Sequence, residues 1–284
     1  TFGAYTFNNL TINNPAGVSA TGAVTAAGNL VLSAGVFDVA GNAFNLAGNA
    51  SHAAGSLTST GTVTLNGAAA QGIDLSTSSL NNLIVSNAAG ASLTDALTLG
   101  GNFTINAGAV FSTGGNALSA AGNAAVDGAL NFAGAGTTTV GGNFTVGAAG
   151  TTVNPAGSTL TLNGAAAQVL TPNAQTFGAV SMTGTGGVSM VGTATFGSLS
   201  IALGETFTLG GATASTLTIT GALANAGTLA FQSTAAVPAS LSLGANSSNS
   251  GTLTMGASNA AGTATLSMAN GTTLNNTGGT IQVS

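Results

Sequence analysis

The sequence predicts an all-β fold, a solenoid of stacked coils of about 20 residues each, and three observations lead there. Short apolar triplets enclose a small polar residue, the triplets recur at fixed intervals, and glycine and asparagine fall between them.

The triplets come first. Leu10-Thr11-Ile12, Leu30-Val31-Leu32, Phe44-Asn45-Leu46, Val63-Thr64-Leu65, Leu97-Thr98-Leu99, Phe103-Thr104-Ile105, Phe144-Thr145-Val146 and Leu160-Thr161-Leu162 run through the first part of the chain. Phe207-Thr208-Leu209, Leu217-Thr218-Ile219, Leu229-Ala230-Phe231, Leu241-Ser242-Leu243, Leu253-Thr254-Met255 and Leu266-Ser267-Met268 continue it. Alternation with period two is the pattern of a strand with one face buried and the other wet. Helix competes poorly, because glycine falls every few residues at a cost of about 1 kcal/mol each inside a helix.

The intervals come next. LNGAAAQ occurs at Leu65–Gln71 and again at Leu162–Gln168, and Leu80–Val85 aligns with Phe177–Met182 at the same offset. Phe7–Ile12 is an earlier match to Leu80–Val85. Phe177–Met182 resembles Phe196–Ile201 at an offset of 19, and Gly-Gly-Asn-Phe-Thr at 100–104 returns at 141–145. The triplets that begin at Leu217, Leu229, Leu241 and Leu253 are 12 apart, with Leu266 following after 13. Nested periods of about 20 residues, with corners of Gly and Asn that tolerate left-handed backbone, describe a solenoid. In that reading LNGAAAQ is a strand end, an Asn-Gly corner and a small-residue segment leading to the next face, repeated because the coil repeats. Residues 1–284 form one continuous solenoid in this expectation, with a change of coil shape near 205–220. Roughly 14 coils at a strand spacing of ~4.8 Å would make a rod on the order of 65 Å long. Neither end carries the charge, proline or covering helix that blunts a free strand edge. The expectation is therefore a segment of a longer chain or a subunit that stacks end to end.

Composition narrows the function. The 284 residues contain no Lys or Arg, five Asp or Glu, one His, no Cys and 45 Gly, for a formal net charge of −5. Without cations, contact to nucleic-acid phosphate and attraction to anionic membrane surfaces are both excluded. Lack of cysteine removes disulfides and thiolate metal sites. A chain without Lys or Arg offers trypsin-like proteases no cleavage site, which fits an extracellular setting. No run approaches the ~18 apolar residues of a membrane-spanning helix, and one Tyr with no Trp lacks the aromatic girdles of a membrane barrel. Membrane insertion is not expected.

Chemistry-bearing residues are sparse. Asp38, Asp74, Asp95, Asp127 and Glu205 are scattered singly and are expected to be solvated corner residues rather than the carboxylate pair that glycoside hydrolysis requires. His52 follows Ser51, but neighbours in a strand point to opposite faces, so the two make a poor dyad and a surface histidine is expected. An enzyme reading requires Asp38, Asp74 or His52 to converge. Val126-Asp127-Gly128 is too thin for an Asp-rich calcium repeat, and the glycine-rich stretches lack the lysine of a phosphate loop. No catalytic, cofactor-binding or metal-binding residue is assigned. Asn9, Asn49, Asn102, Asn143, Asn246, Asn270 and Asn275 lie in Asn-x-Ser/Thr sequons, for which corner hydrogen bonding or a stacked Asn ladder is expected over glycosylation.

Phe7–Asn14, Gly61–Gln71 and Gly101–Ile105 (FNNLTINN, GTVTLNGAAAQ and GNFTI) resemble the repeats of large bacterial surface β-helix proteins. Those include filamentous-haemagglutinin-type adhesins of two-partner secretion and autotransporter passenger domains. The resemblance is one of repeat style over nearly the whole chain. It implies a right-handed parallel β-helix and placement at the cell surface, although the absence of basic residues departs from the family and no secretion domain is visible.

The expected function is a structural or adhesive extracellular protein that forms or contributes to a surface fibre or stalk. Its partners are other copies of itself, joined end to end, and surface glycans or other cells. The alternatives are an ice-binding or glycan-binding solenoid, from the outward threonines of the triplets, and after these a polysaccharide-acting enzyme. For ice binding, the form with two outward threonines on one strand looks scarce, since most triplets offer one.

The facing assignment is testable. Leu162→Ala should cost ~2–5 kcal/mol, as deletion of a buried leucine does, and Thr161→Ala little. Equal shifts of the melting temperature in the two variants would reject the assignment.

Overall fold

Because the triplets recur in step, each strand finds its hydrogen-bonding partner one coil away. In the computed structural model, which describes residues 1–153, 155–211, 213–233, 237–257 and 263–283, every paired strand is parallel to its neighbours and no helix occurs among the described residues. The fold is a parallel β-solenoid of about 12 turns and about 20 residues per turn. Two compact units divide it, Thr1–Thr137 with Ala148–Asn154, and Thr138–Gly147 with Pro155–Ser284.

In the first unit Tyr5–Phe7 lies beside Val24–Ala26, which lies beside Phe44–Leu46, and the ladder continues through Val63, Leu83, Phe103 and Ala124. From Val24 onward these positions point inward and are buried, as are Ala26, Leu46, Leu65, Val85, Ile105 and Val126 two positions further along. The residue between them faces out, in a row that reads Thr6, Thr25, Asn45, Thr64, Ile84, Thr104 and Ala125. Large rings fill the interior edge to face, Phe37 against Phe44 at 5.7 Å and Phe103 against Phe111 at 5.0 Å, arrangements favoured by the ring quadrupole.

The second unit follows the same rule with a coil that grows. Leu170 lies beside Met190, Met190 beside Leu209, Leu209 beside Phe231 and Phe231 beside Met255. The step from Phe231 to Met255 is longer than the step from Leu170 to Met190. The short interval between the later triplets is half a turn here: Leu217 pairs with Leu241 and Leu229 with Leu253. This lengthening is why dividing the chain by one uniform coil length overstates the number of turns.

At the corners the chain leaves the sheet, and backbone N–H groups lose their ladder partners. Asparagine supplies replacements. The Oδ1 of Asn9 accepts from Asn29 N at 2.8 Å, Asn29 from Asn49 N at 2.9 Å and Asn49 from Gly72 N at 2.8 Å. Asn82, Asn102, Asn143 and Asn246 repeat the bond toward the following coil at 2.8–2.9 Å. Asn9, Asn49, Asn102, Asn143 and Asn246 of the sequons therefore serve the corner role expected for them. Glycine is obligatory where coils nearly touch: Gly35 holds a φ of +76°, and a Cβ there would collide with the Asn14 carbonyl.

The repeated heptapeptide encodes a clamp. Leu65 and Leu162 are core residues, the three alanines of each copy are exposed, and the final glutamines, Gln71 and Gln168, are each only 3% exposed. Gln71 folds back so that Oε1 accepts from Gly67 N at 3.1 Å, while Nε2 donates to Leu46 O at 3.0 Å and Gly48 O at 2.6 Å. Gln168 does the same with Gly164 N at 2.7 Å, Val140 O at 3.0 Å and Gly142 O. Each glutamine thus closes its own corner and ties it to the coil before. The glycine of the motif makes room, because a Cβ at Gly67 or Gly164 would strike the glutamine carboxamide. In the first unit buried Asn87 also donates to Gln71 Oε1 at 2.8 Å, so all four hydrogen-bonding positions of the Gln71 amide are filled. Gly184 occupies the corresponding place in the second copy.

Truncating the clamp strands several buried groups, each worth ~1–3 kcal/mol. Gln71→Ala should lower stability by about 3 kcal/mol or more, and by more than Gln168→Ala, which has no Asn partner to strand. Urea unfolding of the two variants checks the order, and losses no larger than those of an exposed substitution would show that the amide is not a clamp.

Candidate functional site

A histidine and an aspartate meet across one corner of the first unit. His52 ends the strand Ala50–His52, in register with Leu32, which in turn lies beside Ile12. It thus takes a place in an inward row whose other members are core residues, and Ser51 faces the opposite way, exposed. The next coil arrives with Asp74, whose N donates to Ala50 O at 3.0 Å. The corner that follows is pinned: Thr77 Oγ1 donates to Gly55 O at 3.1 Å, and Ser78 Oγ accepts from Leu57 N at 3.0 Å. This sets Asp74 Oδ1 2.8 Å from His52 Nδ1, with side-chain exposures of 27% and 15%. The contact lies off the line of a hydrogen bond, and Ser76 Oγ approaches the same carboxylate oxygen at 3.4 Å.

His52 is therefore a half-buried residue, with the Asp74 carboxylate 2.8 Å from its ring, where the sequence suggested a surface histidine and separate acids. Convergence does not complete an acyl-transfer site. That chemistry needs an aspartate aligned on one ring nitrogen and a nucleophilic hydroxyl on the other. Here the alignment is missing, Ser51 points away, and among the described residues no hydroxyl bonds the histidine. Asp38 and Asp95 direct carboxylate oxygens to nearby backbone, at Ala40 N (2.8 Å) and Ala96 N (2.7 Å). Asp127 is exposed. No group of three or more His, Cys, Asp or Glu that could hold a metal occurs among the described residues.

Compared with protein-family models, with curated proteins and with solved structures, the chain matches none.

Two surface features stand out. One is a shallow depression of about 270 Å³ on the outward face of the first unit, lined by Thr62, Asn82, Leu83, Ile84, Asn102 and Thr104. A register shift between Leu80 and Asn82 dents the sheet there. Its amides are already engaged, Asn82 with Asn102 N at 2.9 Å and Gly61 O at 3.4 Å. The floor is left with two hydroxyls and Ile84, and the volume falls below the ~300–1,000 Å³ of ligand pockets.

The other feature is a hydroxyl lattice in the second unit. The strands Thr193–Ile201, Ser215–Ile219, Ala239–Leu243 and Ala264–Met268 stack in register, aligning Thr193, Thr216, Ser240 and Thr265 in one outward column. Thr195, Thr218, Ser242 and Ser267 form the second column, two positions along. All eight positions carry a hydroxyl and none is buried. Paired outward hydroxyls on one strand are thus not scarce. The additional hydroxyl stands immediately before the first apolar residue of the triplet, outside the triplet itself, as at Thr216-Leu217-Thr218 and Ser240-Leu241-Ser242.

Glu205 corrects a second expectation. It is 3% exposed, held in the turn that closes with Glu205 N on Ala202 O at 3.1 Å. Burial raises its pKa, and the hydrogen bond from the Gly187 backbone lowers it by less. A carboxyl that holds its proton more tightly folded than unfolded makes stability fall as pH rises from the ordinary carboxyl range through the raised folded value. Glu205→Gln should flatten that part of the melting-temperature profile and raise stability at neutral pH. An unchanged slope in the variant would assign the pH dependence elsewhere.

Proposed function

We propose that the chain is a structural or adhesive extracellular protein, a β-solenoid that forms or contributes to a surface fibre or stalk by end-to-end stacking of coils. One observation carries this reading: the buried amide side chains of Gln71, Gln168, Asn225 and Asn249 bond from coil to coil. The Gln71 and Gln168 clamps do so. In the second unit the buried Asn225 Nδ2 donates to Asn249 Oδ1 at 2.6 Å, and Asn249 Nδ2 to Asn276 Oδ1 at 2.5 Å. Such ladders resist separation of neighbouring coils and do nothing for a diffusing substrate. The mechanism is mechanical, with hydrogen-bond ladders between coils, an apolar core and an outer surface of Thr, Ser and Asn.

The proposed partners follow from the same chemistry. A further coil of this chain, in a second copy, offers the backbone groups a terminal strand can pair with. An uncharged hydroxyl and amide exterior suits surface glycans or other cells, and a chain without Lys or Arg has nothing to hold nucleic-acid phosphate. The resemblance in repeat style to bacterial surface β-helix proteins supports placement at the cell surface.

Negative-stain electron microscopy of the purified chain is the direct test. Fibres of uniform width that lengthen with concentration are expected, and short particles that stay discrete at every concentration would overturn end-to-end stacking.

A further inference from the structure

We infer that the hydroxyl lattice on the strands Thr193–Ile201, Ser215–Ile219, Ala239–Leu243 and Ala264–Met268 is a binding face for the ordered surface of ice. The inference is independent of the fibre reading, since it requires one unit and no assembly.

Periodicity is the first argument. Adjacent strands lie ~4.8 Å apart and alternate residues along a strand ~6.7 Å apart, so the eight hydroxyls form a two-dimensional grid. The spacing of ice follows from its hydrogen bond. With O–H···O contacts of ~2.75 Å and tetrahedral angles, second-neighbour oxygens lie ~4.5 Å apart and the lattice repeats along its stacking axis every ~7.3 Å. Both grid spacings fall within about a tenth of these values. A column of four ranks therefore drifts by less than one hydrogen-bond length against the lattice.

The chemistry of the face selects among occupants. It carries no charge, and the whole chain has no Lys or Arg, so an anionic partner finds no counterpart. It presents no aromatic or large apolar anchor, the feature on which protein partners concentrate their affinity. Threonine offers a methyl beside its hydroxyl, which suits a solid of water that must be matched in shape and in hydrogen bonding together.

Rigidity is the third argument. A grid that matches a crystal binds best when its side chains have little freedom left to lose, since immobilising each one on binding costs entropy. Beneath the first three of the four ranks stand Ala194, Leu217 and Leu241, all buried, and the ranks are aligned by the parallel ladder itself. Threonine is also stiff at χ1, being β-branched. The hydroxyls are held in place before any ligand arrives.

The test is the growth of single ice crystals in dilute solutions of the purified chain, with the gap between freezing and melting temperatures as readout. Faceted crystals and a measurable gap are expected for the unaltered chain. Thr216→Lys and Ser240→Lys each place a long cation on the grid at an outward position, and should reduce the gap several-fold with little change in thermal unfolding. Thr11→Lys, an exposed outward site in the first unit, should leave the gap intact. Ice growth indistinguishable from that in an equal concentration of albumin would overturn the inference. So would an unchanged gap in both grid variants, or an equal loss in Thr11→Lys.

Discussion

Registered stacking is the constraint on which this molecule depends. In a parallel solenoid each side chain lies directly above its counterpart in the preceding coil and below its counterpart in the next. Whatever chemistry a position has, it meets again at ~4.8 Å in both directions. Apolar residues satisfy that condition by packing, as along Val24, Phe44, Val63, Leu83 and Phe103. Amides satisfy it because each carries both donor and acceptor, so that Asn225, Asn249 and Asn276 can form a chain of bonds. Charges fail it, since a stacked row of one sign repels itself.

The composition then has a physical account. A chain with no Lys or Arg and five acids is one in which charge has nearly been excluded from the rows. Asp38 lies between Ser19 and Thr58 in its row. Glu205, buried in its turn, keeps its proton more tightly than a free carboxyl, which is the usual response of an acid that has lost water and gained no cation. Thr, Ser and Asn perform the solvating work that Lys and Glu do on other proteins.

Legibility in the sequence divides along the same line. What depends on one row was readable: the triplets alternate, their middle residues face out except at buried Ala230, and Thr11, Thr64, Thr98 and Thr161 are placed as the period of two demands. What depends on two residues from different coils was not. His52 and Asp74 belong to successive coils of a chain whose coil length is itself variable, so no local pattern announces their contact. The Gln71 clamp could have been found, because LNGAAAQ ends in its only long polar residue in both copies. A long amide after three alanines and a corner glycine is a candidate to fold back. The lengthening of the coil was also visible, but only as a short interval between the later triplets. That interval could be understood only once alternate triplets were seen to pair.

The same constraint decides how much meaning an outward row can carry. Registered stacking turns any outward threonine into the start of a column, so columns alone are a by-product of the fold. On the strands Thr206–Gly211, Thr228–Ser233, Thr252–Ala257 and Thr280–Val283, one column keeps threonine at all four ranks, and the other reads Thr208, Ala230, Thr254 and Gln282. There the second column is interrupted, at Ala230, which is buried, and at Gln282. The grid from Thr193 to Ser267 is uninterrupted: every change within it exchanges threonine for serine, and all eight positions keep a hydroxyl while the coil around them changes length. Coil growth falls outside these strands, which keeps the ranks in register. A fold that needed only solubility there would have no reason to protect both columns together.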